Sequence, residues 1–245
     1  MNAFKEPINK ISRPKLSKAF QRKRLFRLLD ENRKHPIIWV SGPAGAGKTT
    51  LITSYLESQD LGCLWYQIDA RDADPATFFY YMSLAVKQAC PRKRNRLPLL
   101  TPEYMPGLDT FALRYFEALY QCLHAPMVLV IDNYQLIPPG SLLHALIRNG
   151  LSVIPDGLTM VLISRESPPP TFSRLLANQK MTHIGWNQIR LTLAETVGIA
   201  RLQTERSISE ATIHQLHKAA DGWAAGLMLM LAQADLEAID WQGIQ

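Results

Sequence analysis

A chain of 245 residues with 47% hydrophobic and 20% charged residues has the composition of an ordinary globular protein, which argues against intrinsic disorder. The longest apolar run, Trp223 to Ala232, is too short to cross a bilayer, no signal-peptide segment stands at the N-terminus, and the three cysteines lack metal-ligand spacing. The expectation is a cytoplasmic protein with reduced thiols and no membrane partner, whose net charge of +6 permits a nucleic-acid partner without specifying one.

Residues 1–35 read as a polar leader followed by a helix over Phe20 to Arg33, in which Leu25, Leu28 and Leu29 recur at helical spacing. The next stretch, PIIWVSGPAGAGKTTL from Pro36 to Leu51, runs from a strand through a glycine-rich turn into a helix. Its spacing Gly42-x-x-x-x-Gly47-Lys48-Thr49, in that context, defines a P-loop. A polyphosphate is held by main-chain N–H groups at the positive end of a helix, which requires positions with no side chain in the way. Gly42, Gly45 and Gly47 supply that clearance, and Pro43, Ala44 and Ala46 complete the loop. Lys48 is placed to meet the β and γ phosphates, Thr49 to ligate Mg²⁺ and Thr50 to touch the α phosphate.

A second strand is expected over Gly62 to Asp69, broken by Asp72, Asp74 and Pro75, which cap a helix over Ala76 to Ala89. Pro91 to Pro106 reads as an exposed loop carrying the basic run Arg92 to Arg96, which, like Arg22-Lys23-Arg24, is taken as a solvated face. A helix over Thr110 to Leu123 precedes Met127 to Asp132, an apolar run ending in a carboxylate, as expected of a central strand buried on both faces. Pro138 and Pro139 open a helix over Ser141 to Leu151, and Thr159 to Ser164 forms a further apolar strand, stopped by Pro168 to Pro170. A short helix over Thr171 to Asn178 leads to a last strand near His183 to Ile189. Beyond it lie only helical patterns: Ala194 to Gln203, Ser209 to Ala219 and Trp223 to Leu236. The alternation predicts an α/β P-loop NTPase with a parallel sheet of five-stranded type flanked by helices over residues 1–189, followed by a small all-helical subdomain over 190–245.

Asp132, at the carboxyl end of a strand beside the P-loop strand, is placed to hold Mg²⁺ together with Thr49. Asn133 stands where an acid commonly orients the attacking water, and an amide holds water but cannot take its proton. Either hydrolysis is slow or the base lies elsewhere, with Asp69, Asp72 and Glu166 as the alternatives. Arg165, ending the next apolar strand, is placed to read the γ phosphate and so to distinguish ATP from ADP. Trp65, Trp186 and Trp223 are taken as core residues.

The stretches KISRPKL, FQRKRL, SGPAGAGKTTL, LWYQID, DADPATFFYYM, VLVIDNYQLI, LISRESPPP, IRLTLAE and AADGWAAGL follow one another across residues 8 to 232. In that order they resemble the nucleotide-binding region of the STAND signalling ATPases, in particular the MalT-like large LuxR-type transcriptional activators. The resemblance implies ATP or ADP with Mg²⁺ as ligands. It also implies that Ile11 to Pro14, with Arg13 and Pro14, and Phe20 to Arg22 line the adenine and ribose. Arg22 falls at the arginine of the family's hhGR motif, with Gln21 in place of the glycine. Gly222-Trp223-Ala224 falls on the GxP motif, with Ala224 in place of the proline that packs on adenine.

The resemblance further implies an N-terminal piece of a longer regulator. Winged-helix, inducer-sensing and DNA-binding domains would follow, so that DNA is met only through a domain outside this chain and a small-molecule inducer of unknown identity is sensed elsewhere. The implied function is a slowly hydrolysing switch in which ADP holds a closed form, and ATP with inducer permits opening and self-association. Two other readings stand beside it: an AAA+-like motor or loader ATPase or a kinase, which calls for brisk turnover, and a non-hydrolysing ADP-binding module, which Asn133 favours.

Overall fold

The computed structural model describes residues 8–91, 97–204 and 208–240, with side chains as far as 233. The basic run Arg92 to Arg96 lies outside the described residues. Five parallel strands, β1 (Ile37–Ser41), β2 (Gly62–Gln67), β3 (Met127–Asp132), β4 (Leu158–Ser164) and β5 (Met181–Ile184), form one sheet in the order β2-β3-β4-β1-β5. Strands β1 and β4 are buried at every position and β3 at all but its first. Covered on both faces, they have no solvent side to encode, which is why they read as unbroken apolar runs.

Alternation along β1 sorts its side chains between two cores. Ile37 and Trp39 join the cluster beneath α3 (Pro75–Ala89), α4 (Leu108–Cys122), α5 (Leu143–Ser152) and the short α6 (Ser173–Ala177). Ile38 and Val40 meet α1 (Lys23–Asn32) and α2 (Lys48–Ser58) on the other face. Neighbouring strands β1 and β4 thus send their following helices to opposite faces of the sheet. The crevice beyond their carboxyl ends is where an open α/β sheet places its ligand.

The helix starts obey local chemistry. Asp74 accepts from the main-chain N–H groups of Ala76 and Thr77, with Pro75 at the first helical position of α3. The last predicted strand, by contrast, is a correction. β5 stops at Ile184, and Trp186 to Ile189 form a short helix, α7. The Gln188 side chain accepts the Gly185 N–H at 3.1 Å and so closes a turn that extended backbone could not hold. The alternating IGWNQI imitates a strand in sequence only.

Edge strand β2 is covered by a 3₁₀ turn at Asn9–Ile11. Lys10, 7% exposed, pairs there with the fully buried Asp72 and with Asp69. The other Asp72 oxygen accepts the Tyr66 hydroxyl at 2.7 Å, and the Asp69 N–H reaches Asp72 at 2.8 Å. Asp69 and Asp72 are therefore occupied in holding the leader to the sheet, not free to act as bases. Removing one partner of a buried ion pair costs about 3–5 kcal/mol, since the other charge stays buried alone. Asp72→Ala should accordingly lower the melting temperature by roughly 10 °C. An unchanged thermal midpoint would show that the leader does not seal this edge in solution.

Among the described residues after Leu191 the regular elements are all helices: α8 (Leu193–Gln203), α9 (Glu210–Ala220) and α10 (Ala224–Asp240) share a small core of Leu191, Ala200, Ala220, Leu227 and Leu231. Among the described residues no helix is long and apolar enough to cross a membrane.

Candidate functional site: a phosphate-binding loop roofed by the C-terminal helices

The loop between β1 and α2 is shaped by its glycines. Gly45 and Gly47 adopt φ of +72° and +78°, a region that side chains rarely enter. The first turn of α2, which begins at Lys48, has main-chain N–H groups without intrahelical partners. A cavity of about 250 Å³ lies against this turn, between the loop residues Ala44 to Thr50 and Asp132, Asn133, Gln135 and Arg165. The P-loop, the strand-ending acid, Asn133 and the β4 arginine, which lie far apart in sequence, thus meet around one space.

Within it, Thr49 Oγ1 donates to Asp132 Oδ2 at 2.9 Å, and the Asn133 N–H donates to Asp132 Oδ1 at 2.8 Å. Burial pushes the Asp132 carboxyl above its ordinary range, although the Thr49 hydroxyl, the Asn133 amide and the Lys48 cation pull against it. A buried carboxylate beside a hydroxyl is an all-oxygen donor set, which suits a hard divalent cation such as Mg²⁺. Lys48 Nζ donates to the carbonyls of Gly42 at 2.7 Å and Pro43 at 2.8 Å. Burial lowers its pKa, Asp132 opposes that and Arg165 reinforces it, so the ammonium gains from an anion placed nearby.

Asn133 takes φ +59° and ψ +36°, left-handed backbone that asparagine tolerates. The turn it starts brings Gln135 into the cavity, where Gln135 Oε1 accepts the Arg165 N–H at 3.1 Å and ties the end of β3 to the end of β4. Gln135 was not singled out from sequence, where it is one polar residue in a loop.

A second cavity, of about 350 Å³, adjoins the first and shares Gly45, Gly47 and Thr50 with it. Its other walls are Lys18 to Phe20, Leu191, Ile199, Leu202, Ala224 and Met228, an apolar sleeve suited to a flat base. Ala224, which the resemblance sets on adenine, lines this cavity. Arg13 and Pro14 do not line this space. The Arg13 guanidinium lies 3.6 Å from Glu57, near the far end of α2 and about 14 Å of helix rise from Lys48, so the leader positions closest to the cavity are Lys18, Ala19 and Phe20. Arg22 borders the cavity, but its Nη2 is taken by the carbonyls of Ile189 at 2.7 Å and Arg190 at 3.1 Å and by Glu195 at 2.9 Å. It fastens the leader to α8.

Glu195 accepts from Arg22, from Arg24 at 3.2 Å and from the Thr192 N–H at 3.0 Å. Burial alone would raise its pKa, but the guanidinium of Arg22, the Thr192 amide and Arg24 hold it below the ordinary carboxylate range. A depressed folded-state value means stability that is present above the unfolded pKa of about 4.3 and is lost as the pH falls through the folded one. Glu195→Gln should therefore melt several degrees below wild type at pH 7, with the two curves converging on acidification below about pH 4. Parallel curves across that range would remove this linkage.

The roof is joined directly to the loop. Trp223 Nε1 donates to the Ala44 carbonyl at 2.7 Å, and the Ala225 N–H donates to the Gly45 carbonyl at 3.0 Å. A Cβ at Gly45 would stand 2.5 Å from that of Ala225, so the second glycine of the loop admits the roof. Trp223, taken from sequence as core, is 39% exposed and caps a P-loop carbonyl.

A P-loop with its lysine, threonine, strand-ending aspartate and β4 arginine on a five-stranded parallel sheet defines an AAA-type nucleotide-binding fold. A family model described as an AAA domain matches residues 31–168, and the chain belongs to that family. Over 92% of its length it is also similar to the HTH-type transcriptional regulator MalT, 29% identical over 232 residues to the protein of Vibrio cholerae. It is 30% identical over 230 residues to that of Cronobacter sakazakii, again across 92% of this chain. The chain spans about a quarter of the length of these relatives, each alignment covering 25% of them.

Solved structures share the fold at low identity. A Walker-type ATPase of Pyrococcus abyssi matches with a TM-score of 0.52 and 12% identity, over 91% of this chain and 74% of that one. The ORC1 protein of Aeropyrum pernix, solved in complex with DNA, matches with a TM-score of 0.50 and 13% identity, over 89% of this chain and 59% of the other.

Proposed function

We propose that the chain is the ATP- and ADP-binding switch of a MalT-like transcriptional regulator, with the nucleotide state controlling opening and self-association. The observation that carries this reading is the seating of α10 on the P-loop: one ligand in the cleft would touch the phosphate loop below and the helices α8 and α10 above. A ligand shifts a conformational equilibrium only by its difference in affinity for the two forms, and contact with both halves of a closed cleft supplies such a difference.

Lys48 and Arg165 bring cationic charge to the β and γ phosphates, and the sleeve of Phe20, Leu191, Ile199 and Met228 takes the base. Thr49 and Asp132 would hold Mg²⁺, which would supply withdrawal of charge from the phosphate oxygens. Asn133 orients a water without accepting its proton, so turnover is slow and the ATP form persists. DNA contact then belongs to a part of the longer protein outside this chain, as the helix-turn-helix naming of the relatives suggests, and the inducer acts there too. Such a regulator works in the cytoplasm. The reading as a non-hydrolysing ADP-binding module has its own support in Asn133.

Chromatography of the nucleotide released on denaturing the purified protein, with sedimentation in ADP and in ATP, tests the proposal. Bound ADP and a larger species in ATP are expected. A protein that is empty and binds neither added nucleotide would overturn it.

A further inference from the structure

At the carboxyl ends of β1, β4 and β5 lies an open polar recess of about 600 Å³, lined by Ser41, Arg165, Ser167, His183, Trp186 and Asn187 among others. Ser41 is buried, and its Oγ lies 2.7 Å from His183 Nε2, an imidazole whose pKa burial lowers. No carboxylate lines the recess, and its one formal charge is the Arg165 guanidinium; the nearest acid in sequence, Glu166, lies outside the lining. Among the described residues the Ser167 hydroxyl, the Asn187 amide and the Arg165 guanidinium have no protein partner. These groups and His183 are exposed to solvent, so the recess offers a cation and several hydrated donors that no carboxylate neutralises.

Its position adds the second observation. Arg165 lines both this recess and the cavity beside the P-loop, at the crevice where β1 and β4 send their helices to opposite faces. A guanidinium binds tetrahedral oxyanions through paired N–H donors and is large enough to serve two adjoining spaces.

We infer that the recess is a binding site for inorganic phosphate. The phosphate is either handed across Arg165 after hydrolysis or taken up free from solution. The inference rests on the ATPase reading above. In that reaction the water oxygen bonds to the γ phosphorus and the bond to the β-bridging oxygen breaks. The electron pair stays on ADP, and hydrogen phosphate and a proton are released. The phosphate that departs has Arg165 at its side and the recess beyond.

The test is NMR of the histidine side chains in the ADP·Mg²⁺-bound chain, with the His183 signal assigned through His183→Gln. Phosphate is titrated into the tens of millimolar, against chloride at matched ionic strength. A saturable movement of His183 with a rise in its pKa of roughly one unit is expected. His183→Gln should bind phosphate at least about tenfold more weakly by calorimetry, with the melting rise given by ADP unchanged. No saturable movement, or the same movement with chloride, would overturn the site.

In a single turnover of ATP, phosphate release that lags ADP formation, with the lag lost in His183→Gln, supports the hand-over. Saturable binding without a lag overturns the hand-over and assigns the recess to free phosphate. A wild-type chain that ADP fails to stabilise would instead count against the nucleotide reading itself, so the two failures are separable.

Discussion

Lys48→Ala is expected to erase the thermal stabilisation that ADP or ATP confers on the wild-type chain. A ligand present at about a thousand times its dissociation constant stabilises a fold by about 4 kcal/mol, which in a domain of this size raises the melting temperature by roughly 8–16 °C. The ammonium is the one lysine charge in the cavity, held at its mouth by the Gly42 and Pro43 carbonyls. The variant should lose most of that rise. It should not unfold, because burial and Arg165 disfavour the ammonium in the free protein, and deleting it relieves that penalty while giving up two hydrogen bonds to carbonyls. Differential scanning calorimetry with and without nucleotide separates the two effects: a variant that melts normally alone and no longer responds to ADP supports the site. One that responds as wild type does would show that the phosphates lie elsewhere.

Asn133→Asp should convert a slow ATPase into a faster one. A positioned general base contributes roughly 10²–10⁴-fold, and the amide at this position can supply none of it. The backbone does not resist the change, since aspartate also tolerates left-handed φ, and the side chain stays in the cavity lined by Gln135 and Arg165. A carboxylate introduced next to the buried Asp132 would have its pKa raised by that like charge, toward the range where a base works best near neutral pH. Steady-state phosphate release at saturating ATP should rise by at least about a hundredfold, with nucleotide affinity little changed. An unchanged rate would mean that position 133 does not meet the attacking water.

The parts of this molecule that were legible in its sequence are those in which a local pattern dictates a local structure. The glycine spacing of the loop forces its shape, Pro75 behind Asp74 can only open a helix, and a strand covered on both faces has to be apolar throughout. The carboxyl ends of such strands could be named before the fold was known, and that brings Asp132, Asn133 and Arg165 to one edge.

What was not legible depends on partners distant in sequence. Arg13 and Pro14 share a motif-like leader with Lys18 to Phe20, yet only the latter segment reaches the cavity, because Lys10 is drawn to Asp72 in the turn that follows the edge strand. Asp72 looked like a spare base because nothing local shows that Lys10 and Tyr66 converge on it. Trp186 to Ile189 imitated a strand because one side-chain hydrogen bond, from Gly185 to Gln188, decides its conformation. Trp223 meets Ala44 across 179 positions, a distance at which periodicity carries no information.

That last contact has a kinetic consequence. On the proposed reading the base cavity has the P-loop on one side and α8 and α10 on the other, so a swing of α10 that breaks the bonds from Trp223 and Ala225 together would widen the way out. The time a nucleotide stays would then depend on how often the roof lifts as well as on how tightly its phosphates are gripped. On that reading a domain built in this way would keep its last nucleotide after the surrounding concentrations had changed, and so would act as a short-term memory of them.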